Sequence, residues 1–209
     1  TLHQSGLGAL FLMAREKIHP LWYSEFIPLL FLVSSVFAGL SMVIFEGTIS
    51  QKIFGDQLSK SLRKGRKSIV HGLAKICAGA MFAYLFLQIV VFIHGQHWDL
   101  LGTSMGHWWL LEIVGFVVVP MFLFIYSYRT YNITATRVAA IIAILGIILN
   151  RLNVSIIAFR WDAAVSYVPS WMEIVVSMAI IFTQIWIFRW VISRMPVLRE
   201  SPEWAKEDH

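Results

Sequence analysis

The sequence predicts an all-α integral membrane protein: five transmembrane helices in one bundle, N-terminus outside and C-terminus inside, preceded by a short interfacial helix. Three observations predict it. First, 58% of the 209 residues are hydrophobic and only 14% are charged, with mean hydropathy +0.70; a soluble domain carries about a quarter charged residues. Second, five apolar stretches are each long enough to cross a hydrocarbon core, which needs about 20 residues at helical rise. Third, the cationic residues sort by loop. Twelve fall on one side if five helices alternate: Lys52, Lys60, Arg63, Lys64, Arg66, Lys67, Arg129, Arg137, Arg189, Arg194, Arg199 and Lys206. Four fall on the other, Arg15, Lys17, Arg151 and Arg160. The positive-inside rule then fixes the orientation. The net charge of +5 is explained by this sorting and does not point to nucleic acid. A soluble enzyme or a nucleic-acid module is excluded by the spans.

The elements follow in order. Within an interfacial segment 1–22, "LGALFLMAREKIHPLW" reads as a short amphipathic helix in the outer interface, ended by Pro20. The spans are expected at 26–46, 69–94, 108–128, 135–157 and 171–193. Between the first two, the basic loop 51–68 is expected to hold a short helix. The segment "HGQHWDLLGTSMGHW" is an outer loop, and the aromatic loop "RWDAAVSYVPSW" is expected to pack on the protein. Trp22, Trp98, Trp108, Trp109, Trp161 and Trp171 are expected to form an outer aromatic belt. Tyr126, Tyr128, Tyr131 and Trp190 would form an inner one. The single cysteine, Cys77, excludes an internal disulfide and a multi-cysteine metal site. All 209 residues make one transmembrane domain.

Polar residues inside lipid carry the functional reading. On the fourth span Thr136, Ala139, Ala143, Gly146, Asn150 and Asn153 recur at spacings of 3 and 4, which places them on one helical face. Small residues admit a neighbouring backbone, and the asparagines can bond across the contact. Glu173, Ser177, Ile180 and Gln184 repeat the pattern on the fifth span. Two readings fit both stripes: packing contacts, or a wet route for protons or a quinone headgroup. Arg151 lies about 100° round the helix from its stripe, where it can snorkel or bridge to the outer loop. Glu112, in the third span, is the best candidate for proton handling and is expected to share a face with Gly115 and Val119. Near the inner side, His71 and Lys75 lie one turn apart. With Glu46, expected to face protein beyond Ser35, Gly39 and Met42, they could form the inner end of a proton path. Haem ligation by two histidines at one depth is conceivable only for His94 and His107; ordinary solvated histidines are the alternative.

Several motifs together carry a family resemblance. "HQSGLGALFLMAREKIHPLW", "PLLFLVSSVFAGLSMVIFE", "LLEIVGFVVVP", "NRLNVSI" and "YVPSWMEIVVS" occur in this order. In this the chain resembles the NrfD-like, or polysulfide-reductase-type, membrane subunits, in their HybB-like branch. The resemblance covers nearly the whole chain and corresponds to the C-terminal half of a typical member. It implies a membrane subunit of a respiratory quinone oxidoreductase complex in a bacterial-type inner membrane. The implied partners are an outer ferredoxin-like iron–sulfur subunit, membrane lipid, a quinone (menaquinone or ubiquinone), and a preceding membrane half or other subunits. The resemblance implies no haem, metal or iron–sulfur cluster on this chain and no covalently bound cofactor. Glu112, Asn150, Arg151 and Asn153 match family-pattern positions. The resemblance implies that the quinone pocket is usually assigned to the first bundle, which this chain does not contain, so these four residues are given no quinone contacts and the quinone-binding residues stay unknown. The alternatives are a haem-b membrane cytochrome, or a transporter or anchor without a redox role.

Overall fold

The computed structural model describes residues 2–54, 60–159, 161 and 169–194. Among them are five helices long and apolar enough to cross a membrane. The chain divides into two compact units, the first ending at Ser166 and the second starting at Tyr167.

The first unit holds four of the spans. Helix α1 (Leu2–Leu12) is followed by a 3-10 turn at Arg15–Lys17. Helix α2 runs Ile27–Phe54 and α3 Lys60–Gly95. The third span is α4 (Ser104–Ile113), a π turn (Val114–Val118) and α5 (Val119–Thr130) in unbroken succession. Helix α6 (Ile133–Leu152) continues into a second π turn at Asn153–Ile157. Helix α2 packs on α3 and α6, and α5 packs on α3 and α6, so the four spans close a ring. In lipid such a ring is held by close packing and polar contacts, because apolar surface gains little by leaving lipid for protein.

The buried faces follow helical periodicity. Along α2 the buried positions are Ile27, Leu30, Ser34, Phe37, Ser41 and Ile44; along α3 they are Ala74, Cys77, Met81, Tyr84 and Gln88. The Ser41 hydroxyl and Cys77 thiol lie 4.0 Å apart in the seam between them. A tight turn joins α5 to α6. Tyr131 adopts the left-handed conformation (φ 55°) that ends many helices. Asn132 then caps α6 by accepting from the Thr134 and Ala135 amides at 3.0 and 3.2 Å. Ser127 and Thr136 pair their hydroxyls across the same turn.

The first π turn has a covalent cause. Pro120 has no N–H to close the turn onto Phe116, so the backbone widens and the Val119 amide reaches the Val114 carbonyl instead. That extra residue re-phases the helix. The buried face runs Trp109, Glu112, Ile113, Val117, Met121 and Phe124. The expected face of Glu112 with Gly115 and Val119 is therefore corrected: Val119 is exposed.

Three further expectations are corrected. Helix α1 has no single apolar face, since Leu2, Leu7 and Leu10 are exposed while Gly8 is buried. It docks through that glycine, where an added Cβ would lie 2.9 Å from the Cα of Pro28. No separate short helix occupies the described part of 51–68: α2 extends to Phe54 and α3 begins at Lys60, and 55–59 lie outside the described residues. Trp22 and Trp109 are buried rather than part of an interfacial belt, whereas Trp98 and Trp161 are exposed. Of the aromatic loop expected to pack on the protein, 160 and 162–168 lie outside the described residues; just before it, Phe159 bridges to Ile18 through the backbone.

The second unit is described by itself. It contains α7 (Trp171–Arg194), in which the Ser177 hydroxyl donates to the Glu173 carbonyl at 2.9 Å. The Arg194 guanidinium lies 4.9 Å from the Trp190 ring centroid. With the four spans of the first unit, α7 makes the five membrane-length helices the sequence suggested.

Candidate functional site

The site is built around one carboxyl. Glu112 sits in the last turn of α4 and is 3% exposed. Its Oε1 accepts from Asn150 Nδ2 at 2.5 Å; its Oε2 accepts from Asn153 Nδ2 at 2.5 Å and from Trp22 Nε1 at 2.9 Å. All three partners are donors, the complement of an acceptor-only carboxylate. Burial penalises the charge, and these donors offset that cost.

Each donor is positioned by its own element. Asn150 and Asn153 are one turn apart at the end of α6, so both amides reach the same carboxyl. Asn153, fully buried, also accepts from Trp108 Nε1 at 3.1 Å, which fixes its amide orientation. Trp22 is delivered by the "KIHPLW" segment. There the His19 amide donates to the Ala158 carbonyl at 2.9 Å, and the Trp22 amide donates to the His19 carbonyl at 2.9 Å. The His19 ring lies edge-on to Trp22 and Trp161, at 5.5 and 4.9 Å between centroids. Its burial, and secondarily the nearby His97, hold its pKa below the ordinary histidine value of 6.5.

Arg151 supplies the counter-charge. Its Nη1 donates to Asn150 Oδ1 at 2.8 Å and its Nη2 to Ser34 Oγ at 2.7 Å. The guanidinium carbon lies 3.5 Å from the Phe31 ring centroid, a cation–π contact. Asn150 therefore stands between the positive and negative groups and bonds both. At about 100° from the stripe, half-buried Arg151 meets α2 through Ser34 and Phe31.

A cavity of about 10 Å³, lined by Glu112, Asn150, Tyr84 and Phe37 among others, adjoins the network. That is room for about one water. It is too small for an aromatic ring.

The structure brings together Glu112, Asn150, Arg151 and Asn153. It does not bring Glu46, His71 or Lys75 to them. Glu46 is exposed; the protein-facing stripe of α2 is Ser34, Phe37, Ser41 and Ile44, one or two residues before the expected Ser35, Gly39, Met42 and Glu46. His71 stacks on Tyr128 and Tyr131 at 4.4 and 4.1 Å, and Lys75 is exposed, 5.8 Å from the Tyr128 ring centroid. Glu173 and Gln184 lie on α7, in the second unit. His94 and His107 are both exposed. Sequence reasoning missed Trp22, Ser34, Tyr84 and Trp108 as members of the site. Tyr84 was accessible in principle, because it continues the Ala74–Cys77–Met81 spacing on α3.

A buried carboxyl, two amides and a guanidinium inside membrane-length helices define a multi-pass membrane protein with a polar core. The chain belongs to the polysulphide reductase NrfD family, whose model matches residues 5–160. A protein of Nitratidesulfovibrio vulgaris strain Hildenborough is 42% identical over all of this chain and 54% of its own length. A probable Ni/Fe-hydrogenase 2 b-type cytochrome subunit of Escherichia coli K12 is 26% identical over all of this chain and 52% of its own length. The chain thus spans about half the length of the curated relatives it matches. No solved structure matches it significantly.

Proposed function

We propose that the chain is a membrane subunit of a respiratory quinone oxidoreductase complex. In this reading it anchors an outer ferredoxin-like iron–sulfur subunit, supports quinone/quinol electron transfer and carries protons. The end of the bundle holding Trp22 faces outward, and the end holding Tyr131 faces the cytoplasm of a bacterial-type inner membrane. The observation that carries the reading is Glu112, an ionisable group buried in a spanning helix and held by Trp22, Asn150 and Asn153. Such groups are costly in lipid and mark ion and proton routes. Family membership and the hydrogenase relative's printed name support the redox setting.

The roles divide by geometry. Glu112 holds or releases the proton, Asn150 and Asn153 orient its two oxygens, and Arg151 balances the charge through Asn150. The cavity beside it is sized for about one water and not for a quinone. The network is therefore assigned to proton handling, and the quinone supplies the two-electron, two-proton chemistry elsewhere in the complex.

The test is quinone-dependent electron transfer and proton uptake by the purified complex. Glu112→Gln combined with Asn150→Leu is expected to lower the rate by about 10²-fold, whereas exposed Glu46→Gln leaves it unchanged. An unchanged rate in the Glu112 and Asn150 variant would sink the proposal. The haem reading draws on the b-type cytochrome name of the E. coli relative. It needs His94 and His107 at one site, and His107 does not line the pocket that His94 lines. A haem spectrum abolished by His94→Ala would bring that reading forward.

A further inference from the structure

A cavity apart from the Glu112 network opens at the end of the four-span bundle that carries Tyr131. Its volume is about 410 Å³, and Ser68, His71, Ser127, Tyr131, Ile133 and Thr136 line it. Membrane-length apolar stretches begin at Ser68 and Ile133, and another ends at Thr130. The cavity therefore lies where hydrocarbon gives way to lipid heads. The buried Ser127 and Thr136 form its floor. Their hydroxyls pair with each other, and Ser127 donates to the Asn132 carbonyl at 2.9 Å, so both are occupied by the α5–α6 turn.

The rim is built differently. His71 stacks on Tyr128 and Tyr131, with ring centroids 4.4 and 4.1 Å away and interplanar angles of 16° and 9°. Two rings cannot share one face at those distances, so the imidazole is held between them and meets the cavity by its nitrogen-bearing edge. Tyr131 reaches this place in the left-handed conformation, φ 55°. Helices that end in this way usually do so on glycine, so a tyrosine there is strained. The strain fixes its ring against His71 at the rim. Ser68 is exposed beside them. Among the described residues the lining carries no carboxyl, and the chain around it is cationic. Lys60, Arg63, Lys64, Arg66 and Lys67 crowd the start of α3, against Glu46 and Asp56 at the same end. Exposed Lys75 lies 5.8 Å from the Tyr128 ring centroid. A metal cation would be repelled by this surrounding charge. A phosphate is anionic and accepts through several oxygens, the complement of hydroxyl and imidazole donors.

We propose that this cavity binds the phosphate head of an anionic phospholipid, which accepts from Ser68, His71 and Tyr131 while its chains lie along the lipid-facing side of the spans. Basic pockets between spanning helices at headgroup level suit such heads. The exposed Ile69, next to Ser68, offers the chains an apolar surface below the rim. The surrounding lysines and arginines favour a head of net negative charge over a zwitterionic one. The site involves none of the residues of the Glu112 network, so it stands or falls apart from the redox role proposed above.

The test titrates the intact protein in detergent with short-chain phosphatidylglycerol, and with short-chain phosphatidylcholine as the zwitterionic comparison. Bound lipid is counted by native mass spectrometry. One phosphatidylglycerol is expected to bind in preference to phosphatidylcholine, and about tenfold more weakly to His71→Phe and to Ser68→Ala. His71→Phe keeps a ring between the two tyrosines and removes only the nitrogens' hydrogen bonding. If it fails to fold, Ser68→Ala, at an exposed position, carries the test by itself. A large excess of inorganic phosphate should leave the lipid bound; displacement would make free phosphate the ligand and overturn the lipid assignment. Equal binding of the two lipids, or phosphatidylglycerol binding indifferent to both substitutions, would overturn the proposal outright.

Discussion

The contact between Asn153 and Glu112 can be measured by a double-mutant cycle of Asn153→Leu and Glu112→Gln. Leucine shares the γ-branched shape and the number of side-chain heavy atoms of asparagine, so the substitution removes the hydrogen bonds while keeping the site filled. Two bonds are lost: Asn153 Nδ2 to Glu112 Oε2 at 2.5 Å, and Trp108 Nε1 to Asn153 Oδ1 at 3.1 Å. A hydrogen bond to a charged acceptor contributes about 1.5–3 kcal/mol and a neutral one about 0.5–1.5 kcal/mol. Trp108 is 36% exposed, so water recovers part of its share. Glu112 keeps the donors Trp22 and Asn150. Asn153→Leu is therefore expected to destabilise the bundle by about 2–4 kcal/mol. In the Glu112→Gln background the remaining carbonyl oxygen can still accept a neutral bond, so the two substitutions should couple by about 1–1.5 kcal/mol, the difference between a charged and a neutral acceptor. The assay is equilibrium unfolding of the four variants in mixed micelles. A coupling below about 0.5 kcal/mol, the usual additivity error, would refute the assigned bond.

Other consequences follow from the same geometry. Gly146→Ala would place a Cβ 2.6 Å from Phe116 Cβ and 3.0 Å from the Phe116 carbonyl oxygen, pushing α6 off the π turn. It is expected to cost about 1–3 kcal/mol, and a wild-type unfolding midpoint would show that the two backbones do not approach this closely. His19 has a folded-state pKa below its unfolded value of 6.5, so the unfolded chain binds the proton more readily. Its contribution to stability is fully present above about pH 6.5 and is lost as pH falls through the folded value. His19→Asn keeps an acceptor for the Leu21 amide that now donates to Nδ1 at 3.2 Å, and it should flatten that acid limb in a melting profile. Trp22→Phe removes one of three donors to Glu112; it is expected to cost about 1.5–3 kcal/mol by the same unfolding assay, and no loss would place Trp22 outside the network.

The legible and illegible parts of the fold separate for physical reasons. The α6 stripe could be read because α6 is regular from Ile133 to Leu152 and carries small or polar residues at every inward position. The α2 stripe was misplaced by one or two residues because Ser34 and Ser35 are adjacent and both faces are otherwise apolar. In lipid, hydropathy does not separate a protein-facing side from a lipid-facing one. Ser35 bonds within its own helix to the Leu32 carbonyl at 2.7 Å, while Ser34 meets Arg151; no local pattern distinguishes them. The third span failed differently. A period of 3.6 was carried through Pro120, where the backbone inserts a π turn. Trp22 was read as interfacial from its position before the first span, because its partner is 90 residues away.

If Glu112 serves proton exchange, as proposed, the arrangement of charges favours that role over a structural ion pair. A carboxylate in direct contact with a guanidinium inside a bundle is locked: removing either partner strands the other charge. Here the amide of Asn150 bonds both groups, so Arg151 balances the charge without covering the carboxyl. One side of Glu112 adjoins a cavity that fits about one water and is shared with Tyr84. The opposing influences on the carboxyl, burial against three donors, leave neither protonation state without support. When the proton arrives, the anion's three bonds weaken while Arg151 retains Ser34 and the Phe31 ring. The network can therefore change its charge without losing the helix contacts that hold it, which a directly paired buried salt bridge could not do.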